Sequence, residues 1–166
     1  MTAAEMPLPL SLLCQFVLAM LATISFAIAF QVPRRHHMAC GLVGAVGWIV
    51  YVLCNTLLGL SAPVSTLIAV LPLTALARFF SITHRAPVTL FLLSGIFPLV
   101  PGAGIYYTAY YFIRNDQRLC TNKGIETIKV AIAIALGIAF VCSIPLPRRL
   151  SRQQYRGPNS SDSSPQ

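Results

Sequence analysis

The residues best suited to bind a solute follow a pair of prolines in the middle of a long, uncharged apolar run. Pro98 and Pro101 each remove a backbone hydrogen-bond donor and clash with the preceding helical turn. Gly102 and Gly104 allow the chain to change direction. Because these four residues fall within seven positions, residues 87–111 are predicted to contain a break rather than one continuous helix.

The chemistry expected at this break is that of a helix N-terminus. Two half-helices are predicted, over residues 88–97 and 103–111. The second would direct its unpaired N–H groups and the positive end of its dipole at the break, an arrangement that binds carboxylates. Backbone groups freed at membrane depth must be buried in protein or line a wet cavity, and transporters frequently bind substrate at such breaks. Tyr106 and Tyr107 follow closely, so at least one of them is expected to face the substrate path.

Two arginines are candidate cations for the same site. Arg78 lies about one turn inside the end of an apolar run, where it either snorkels to the interface or faces the bundle and attracts an anion. Arg85 follows in a basic turn beside His84. The substrate-binding residues predicted from the sequence are Pro98, Pro101, Gly102, Ala103, Gly104, Tyr106, Tyr107, Arg78 and Arg85.

These residues must be positioned by membrane helices, because the composition does not suit a soluble domain. Of 166 residues, 56% are hydrophobic and 10% are charged, and the mean hydropathy is +0.73. The alternating pattern of an outer-membrane barrel is absent from the sequence. The apolar runs cover about residues 10–30, 38–60, 64–82, 87–111 and 125–144. They predict an all-α fold, a polytopic membrane helix bundle of about five transmembrane helices with the fourth broken between residues 98 and 104.

The domain organisation predicted from these runs has three parts. Residues 1–9 form an N-terminal extension, residues 10–147 form the transmembrane domain, and residues 148–166 form a disordered basic and polar tail. The second run begins with Gly41, Gly44 and Gly47, whose spacing places small residues along one helix face. Such a stripe favours close helix packing. The alternative is that it borders the transport path.

The charge pattern indicates orientation in a membrane rather than nucleic-acid binding. Twelve Lys and Arg residues against four acids give a formal charge of +8, and the basic residues flank the apolar runs. The turns at Arg34 and Arg85 and the arginine-containing tail fall on one side of the five-helix arrangement. The positive-inside rule therefore predicts a cytoplasmic C-terminus.

No enzyme constellation is present in the sequence. The apolar runs contain no paired carboxylates for acid–base chemistry, and the histidines lie in basic turns rather than beside a nucleophile. The five cysteines are scattered and form no Cys/His cluster. We therefore expect no enzymatic activity, no metal site and no cofactor.

Four motifs together resemble the threonine/serine exporter family. They are Phe30-x-Val32-Pro33-x-Arg35, Gly41-x-x-Gly44-x-x-Gly47-Trp48, Arg85-x-Pro87 and Pro98-Leu99-Val100-Pro101-Gly102-x-x-x-Tyr106. The resemblance covers nearly all of residues 10–145 and is to the C-terminal half of these exporters, which in many bacteria is a separate small protein of the YjjB type. Ser94 departs from the family pattern, in which many relatives have proline.

The resemblance implies a multi-pass secondary exporter of the bacterial inner membrane. Its two-component form pairs the small subunit with a larger YjjP-type subunit and is associated with succinate export. The first expectation is therefore a subunit of an exporter of succinate or another small carboxylate, working with that larger partner in the lipid bilayer. The alternatives are half of a threonine/serine exporter, or a membrane scaffold that transports nothing.

Overall fold

The apolar runs of the sequence fold into helices throughout the described part of the chain. The computed structural model describes residues 8–144, which contain α-helices and two short 3-10 turns and no strand. The α-helices are α1 (Leu8–Ala29), α2 (His37–Thr56), α3 (Ala62–His84), α4 (Val88–Ile96), α5 (Gly102–Ile113) and α6 (Gln117–Ser143). The 3-10 turns are Arg34–His36 before α2 and Phe97–Leu99 after α4.

Four of the described helices, α1, α2, α3 and α6, are long and apolar enough to cross a membrane. The pair Val88–Leu99 and Gly102–Ile113 meets the same test only when taken together, and its two parts are bent by 51° at the break. The predicted all-α bundle of about five membrane helices, with the fourth one broken, is therefore confirmed.

Helix α2 lies at the centre of the bundle and packs against α1, α3 and α4. Small residues allow these approaches. A side chain at Gly44 would collide with Thr23 of α1, and one at Gly47 would lie 2.5 Å from Cδ1 of Leu73 of α3. Gly41 is likewise in close contact with α1. The structure thus places all three glycines of the stripe at helix contacts rather than at a solute path.

Helix α4 packs on α2 beside the glycine stripe. A Cβ at Gly95 would lie 2.5 Å from Cγ1 of Val43, and the Cys40 thiol lies 3.8 Å from the Leu90 carbonyl oxygen. Phe91 is fully buried beside these contacts. The first half of the broken span is therefore part of the bundle core.

The helix contacts define two ends of the bundle. Arg78 of α3 contacts the last turn of α6, so α3 and α6 run in the same direction. The end that contains His36, His37 and His84 is here called the histidine end, and the other, containing loop residues 57–61 and 114–116, the far end. The described Lys and Arg residues toward the histidine end are Arg34, Arg35, Arg78 and Arg85. Those toward the far end are Arg114, Arg118 and Lys123, and Lys129 lies near the middle of α6.

The two ends thus carry nearly equal numbers of described basic residues, four at the histidine end and three at the far end, and among the described residues only the far end also has acids, Asp116 and Glu126. The orientation predicted from the sequence therefore depends on the arginines after residue 147. These arginines, the predicted disordered tail 148–166 and residues 1–7 of the predicted extension lie outside the described residues.

Candidate functional site

The break in the fourth span has the form that its prolines and glycines predict. Helix α4 ends at Ile96 and passes into the 3-10 turn, Val100 is extended with φ −62° and ψ 129°, and Pro101 precedes the first residue of α5. Helix α4 begins at the predicted residue, Val88, and the other three half-helix ends differ from the predicted ones by one or two residues. The backbone therefore leaves helical geometry only at the junction between the two halves.

A cavity of about 480 Å³ adjoins this junction. Six of the nine substrate-binding residues predicted from the sequence line it: Pro98, Pro101, Gly102, Ala103, Gly104 and Tyr107. The other walls come from three helices. They are Trp48 and Tyr51 of α2, Ala62 and Thr66 of α3, and Lys123, Glu126, Thr127 and Val130 of α6. The cavity lies in the half of the bundle nearer the far end.

Two backbone donors at the cavity wall are unpaired. The Gly102 N–H donates to the Val100 carbonyl at 2.7 Å, and the Ile105 N–H donates to the Pro101 carbonyl at 3.0 Å. Between them, the N–H groups of Ala103 and Gly104 have no acceptor among the described residues, and no side chain caps the helix. Because α5 is twelve residues long, its dipole adds positive potential at these donors.

The two glycines of α5 have different surroundings. A Cβ at Gly104 would collide with the Thr127 side chain, so the glycine lets α5 lie directly on α6. A Cβ at Gly102 would meet nothing within 4 Å. Gly102 therefore faces the open cavity, whereas Gly104 is a packing residue that also lines it.

The cavity also contains polar residues that the sequence patterns did not identify as part of the site. Lys123 and Glu126 form an ion pair at 3.0 Å, with side chains 47% and 49% exposed, and the Thr127 hydroxyl donates to the Lys123 carbonyl at 2.7 Å. The positions i, i+3 and i+4 place these three residues on one face of α6. A polar face at the start of an otherwise apolar helix is the sequence feature from which these residues could have been assigned to the site.

Three of the predicted site residues lie elsewhere. Tyr106 does not line the cavity; its side chain is 64% exposed, and its ring stacks on Tyr110 at 6.3 Å between centroids. Arg85 ends α3 in the left-handed conformation, with φ 49°. Arg78 donates hydrogen bonds to the carbonyl oxygens of Val141 and Ile144, the latter at 2.7 Å. It therefore caps the end of α6: the Val141 carbonyl also accepts from the Ile144 N–H at 3.3 Å, and Ile144 follows the last residue of the helix.

Replacing Arg78 with methionine is expected to destabilise the bundle by about 1–2 kcal/mol, because methionine keeps an apolar stem but removes both charged donors. Thermal unfolding of the purified protein in detergent measures this change. Arg34→Met is the matched control, since the Arg34 side chain is exposed and forms no hydrogen bond with another described residue. Unchanged unfolding together with lost solute transport would instead support the anion-attracting role considered for Arg78.

Among residues 8–144, no group of three or more His, Cys, Asp or Glu residues is arranged to hold a metal ion. The polar features of the cavity are hydroxyls, one ion pair and free backbone donors. A multi-pass helical bundle in which a broken span lines such a cavity is an arrangement found in membrane transport proteins.

The family described as Threonine/Serine exporter, ThrE, matches residues 15–144. The chain belongs to this family, whose members are membrane exporters. The proposed resemblance is thereby confirmed at the level of the family.

One curated relative is the "Probable threonine/serine exporter" of Mycobacterium tuberculosis (strain ATCC 25618 / H37Rv). It is 27% identical over 137 residues, which are 82% of this chain and 25% of the relative. The chain therefore spans about a quarter of the length of the curated relative that it matches. No solved structure matches the chain.

Proposed function

We propose that this chain forms one part of a secondary exporter of small amino acids, with threonine or serine as the solute. The observation that carries the proposal is the cavity at the helix break, where two unpaired amides and a hydroxyl-lined wall stand beside one lysine and one glutamate. The amides suit a carboxylate, and the cavity is large enough for a small solute. The printed name of the mycobacterial relative agrees with this solute class.

Succinate is the second candidate solute. Two positive features, the N-terminus of α5 and Lys123, favour a dicarboxylate. However, Lys123 is already paired with Glu126, and Arg78 and Arg85 do not line the cavity. The available charge therefore balances a zwitterion better than a dianion.

The chain is proposed to work with a larger membrane subunit of the YjjP type in the bacterial inner membrane. The support is the length comparison, because three quarters of the mycobacterial relative lie outside the matched region. The C-terminus is proposed to be cytoplasmic, given the arginines after residue 147. The cavity then belongs to the external half of the membrane.

Counterflow in membrane vesicles that contain both subunits tests this function. Vesicles loaded with unlabelled threonine are expected to take up labelled threonine or serine faster than vesicles without this chain, and to take up labelled succinate no faster. Succinate counterflow without threonine counterflow would overturn the amino-acid assignment in favour of the second candidate. The absence of any counterflow would overturn the exporter function and favour the alternative of a membrane scaffold that transports nothing.

A further inference from the structure

We propose that the Lys123–Glu126 ion pair determines which solutes the cavity accepts, by exchanging its partners for the two charges of a zwitterion. This inference rests on the proposed function and deepens it. It assigns the discrimination between an amino acid and a dicarboxylate to two named side chains of α6.

The first support is where the ion pair lies. Lys123 and Glu126 are the charged side chains among the residues that line the cavity, and they are one helical turn apart. They stand in the same cavity as Ala103 and Gly104, whose N–H groups have no acceptor among the described residues. The cavity therefore contains two kinds of hydrogen-bond donor for an anion, an ammonium group and backbone amides, and one carboxylate.

The second support is that the pair is inexpensive to open. Its side chains are 47% and 49% exposed, and an exposed pair three residues apart on a helix contributes little to stability. A solute carrying both charges can replace each half of the pair, so neither charge is left without a partner.

The exchange accounts for selectivity through one attractive and one repulsive contact. The carboxylate of an amino acid binds Lys123 and the amides at the start of α5, and its ammonium group pairs with Glu126. A dicarboxylate would make the first contact equally well. Its second carboxylate would lie next to the Glu126 carboxylate, and the repulsion between these two negative charges would disfavour binding. Glu126 is therefore the residue that rejects succinate.

The chain contains its own reporter for this exchange. Trp48 is the single tryptophan of the sequence, and it lines the same cavity. The full-length chain in lipid nanodiscs is titrated with L-threonine and with succinate while the Trp48 emission is recorded. Threonine is expected to change the emission of the wild-type protein at concentrations about tenfold lower than succinate. A difference in affinity of about tenfold is what one hydrogen bond to a charged group typically contributes.

Four variants then separate the roles. Glu126→Gln is expected to weaken threonine binding about tenfold and to strengthen succinate binding, so that the preference is lost. Glu126→Asp should restore part of the preference. Lys123→Gln should weaken both solutes. Lys129→Gln is the matched control, because it removes one positive charge from the same helix without touching the cavity lining.

Two results would overturn the proposal and are distinguishable from each other. If the wild type and Glu126→Gln share the same preference for threonine, the ion pair is not the determinant, although the proposed function stands. If the wild-type emission responds to neither solute and vesicles with both subunits show no threonine counterflow, the proposed function fails as well.

Discussion

Replacing Gly102 with leucine will stop solute counterflow while leaving the bundle folded. A Cβ at this position meets nothing within 4 Å, and the residue lines the cavity, so the larger side chain enters the space proposed for the solute. Gly102 is the first residue of α5 and has no positive φ, so the backbone accepts leucine without strain. Counterflow of labelled threonine in vesicles with both subunits measures the loss, and the expected rate is that of vesicles without this chain.

Gly102→Ala is the matched control for that experiment. Alanine adds one methyl group to the open side of the cavity and is expected to keep most of the wild-type rate. Thermal unfolding in detergent should be the same for both variants and the wild type. If Gly102→Leu transports normally, the cavity at the break is not the solute site. The wild-type rate tests the scaffold alternative, because a scaffold that transports nothing would give no more counterflow than vesicles without this chain.

The second large effect concerns stability, since Gly44→Ala is expected to destabilise the bundle by about 2–3 kcal/mol. The new methyl group would collide with the Thr23 hydroxyl and would lie 2.8 Å from its Cγ2 and 2.9 Å from its Cβ. Thr23 is fully buried, and its hydroxyl donates to the Ala19 carbonyl at 2.8 Å. A β-branched side chain on a helix has few other rotamers, so α1 and α2 must move apart.

Two further variants test this explanation by thermal unfolding. Thr23→Ala in the Gly44→Ala background removes two of the three close atoms and should recover part of the loss. Gly124→Ala is the matched helical glycine, because its Cβ would lie at an ordinary 3.4 Å from Cγ2 of Thr108. It should be neutral or stabilising by up to about 1 kcal/mol. Equal destabilisation by both alanines would rule out the contact with Thr23 as the cause.

The position of the break was predictable because it depends on local backbone chemistry. Pro98 and Pro101 lie three residues apart and are followed by Gly102, so together they interrupt the helix, whereas Pro72 alone lies inside α3. The half-helix bounds therefore agree with the structure to within two residues. The number of membrane helices was predictable for a similar reason, since run length and hydropathy decide it. Both features are properties of short stretches of chain and need no knowledge of which helices are neighbours.

The remaining parts of the site depend on neighbours, and sequence patterns could not supply them. The sequence places Arg78 near the end of an apolar run whether it faces the interface or the bundle. Its actual role depends on α6 ending beside it, which the sequence does not show. Lys123 and Glu126 read as an ordinary exposed pair until the contact of Gly104 with Thr127 brings their helix to the break. Hydrophobic periodicity indicates that a face is buried without indicating against which helix.

The two halves of the broken span are held very differently. Helix α4 has Phe91, Ser94 and Gly95 buried in the bundle, whereas α5 has no buried residue and packs chiefly on α6. A change of angle at the junction between them would therefore widen or narrow the cavity without disturbing the core. Only residues 97–101 join the buried half to the exposed half, and a hinge at such a short connection is how domains commonly change their relative angle.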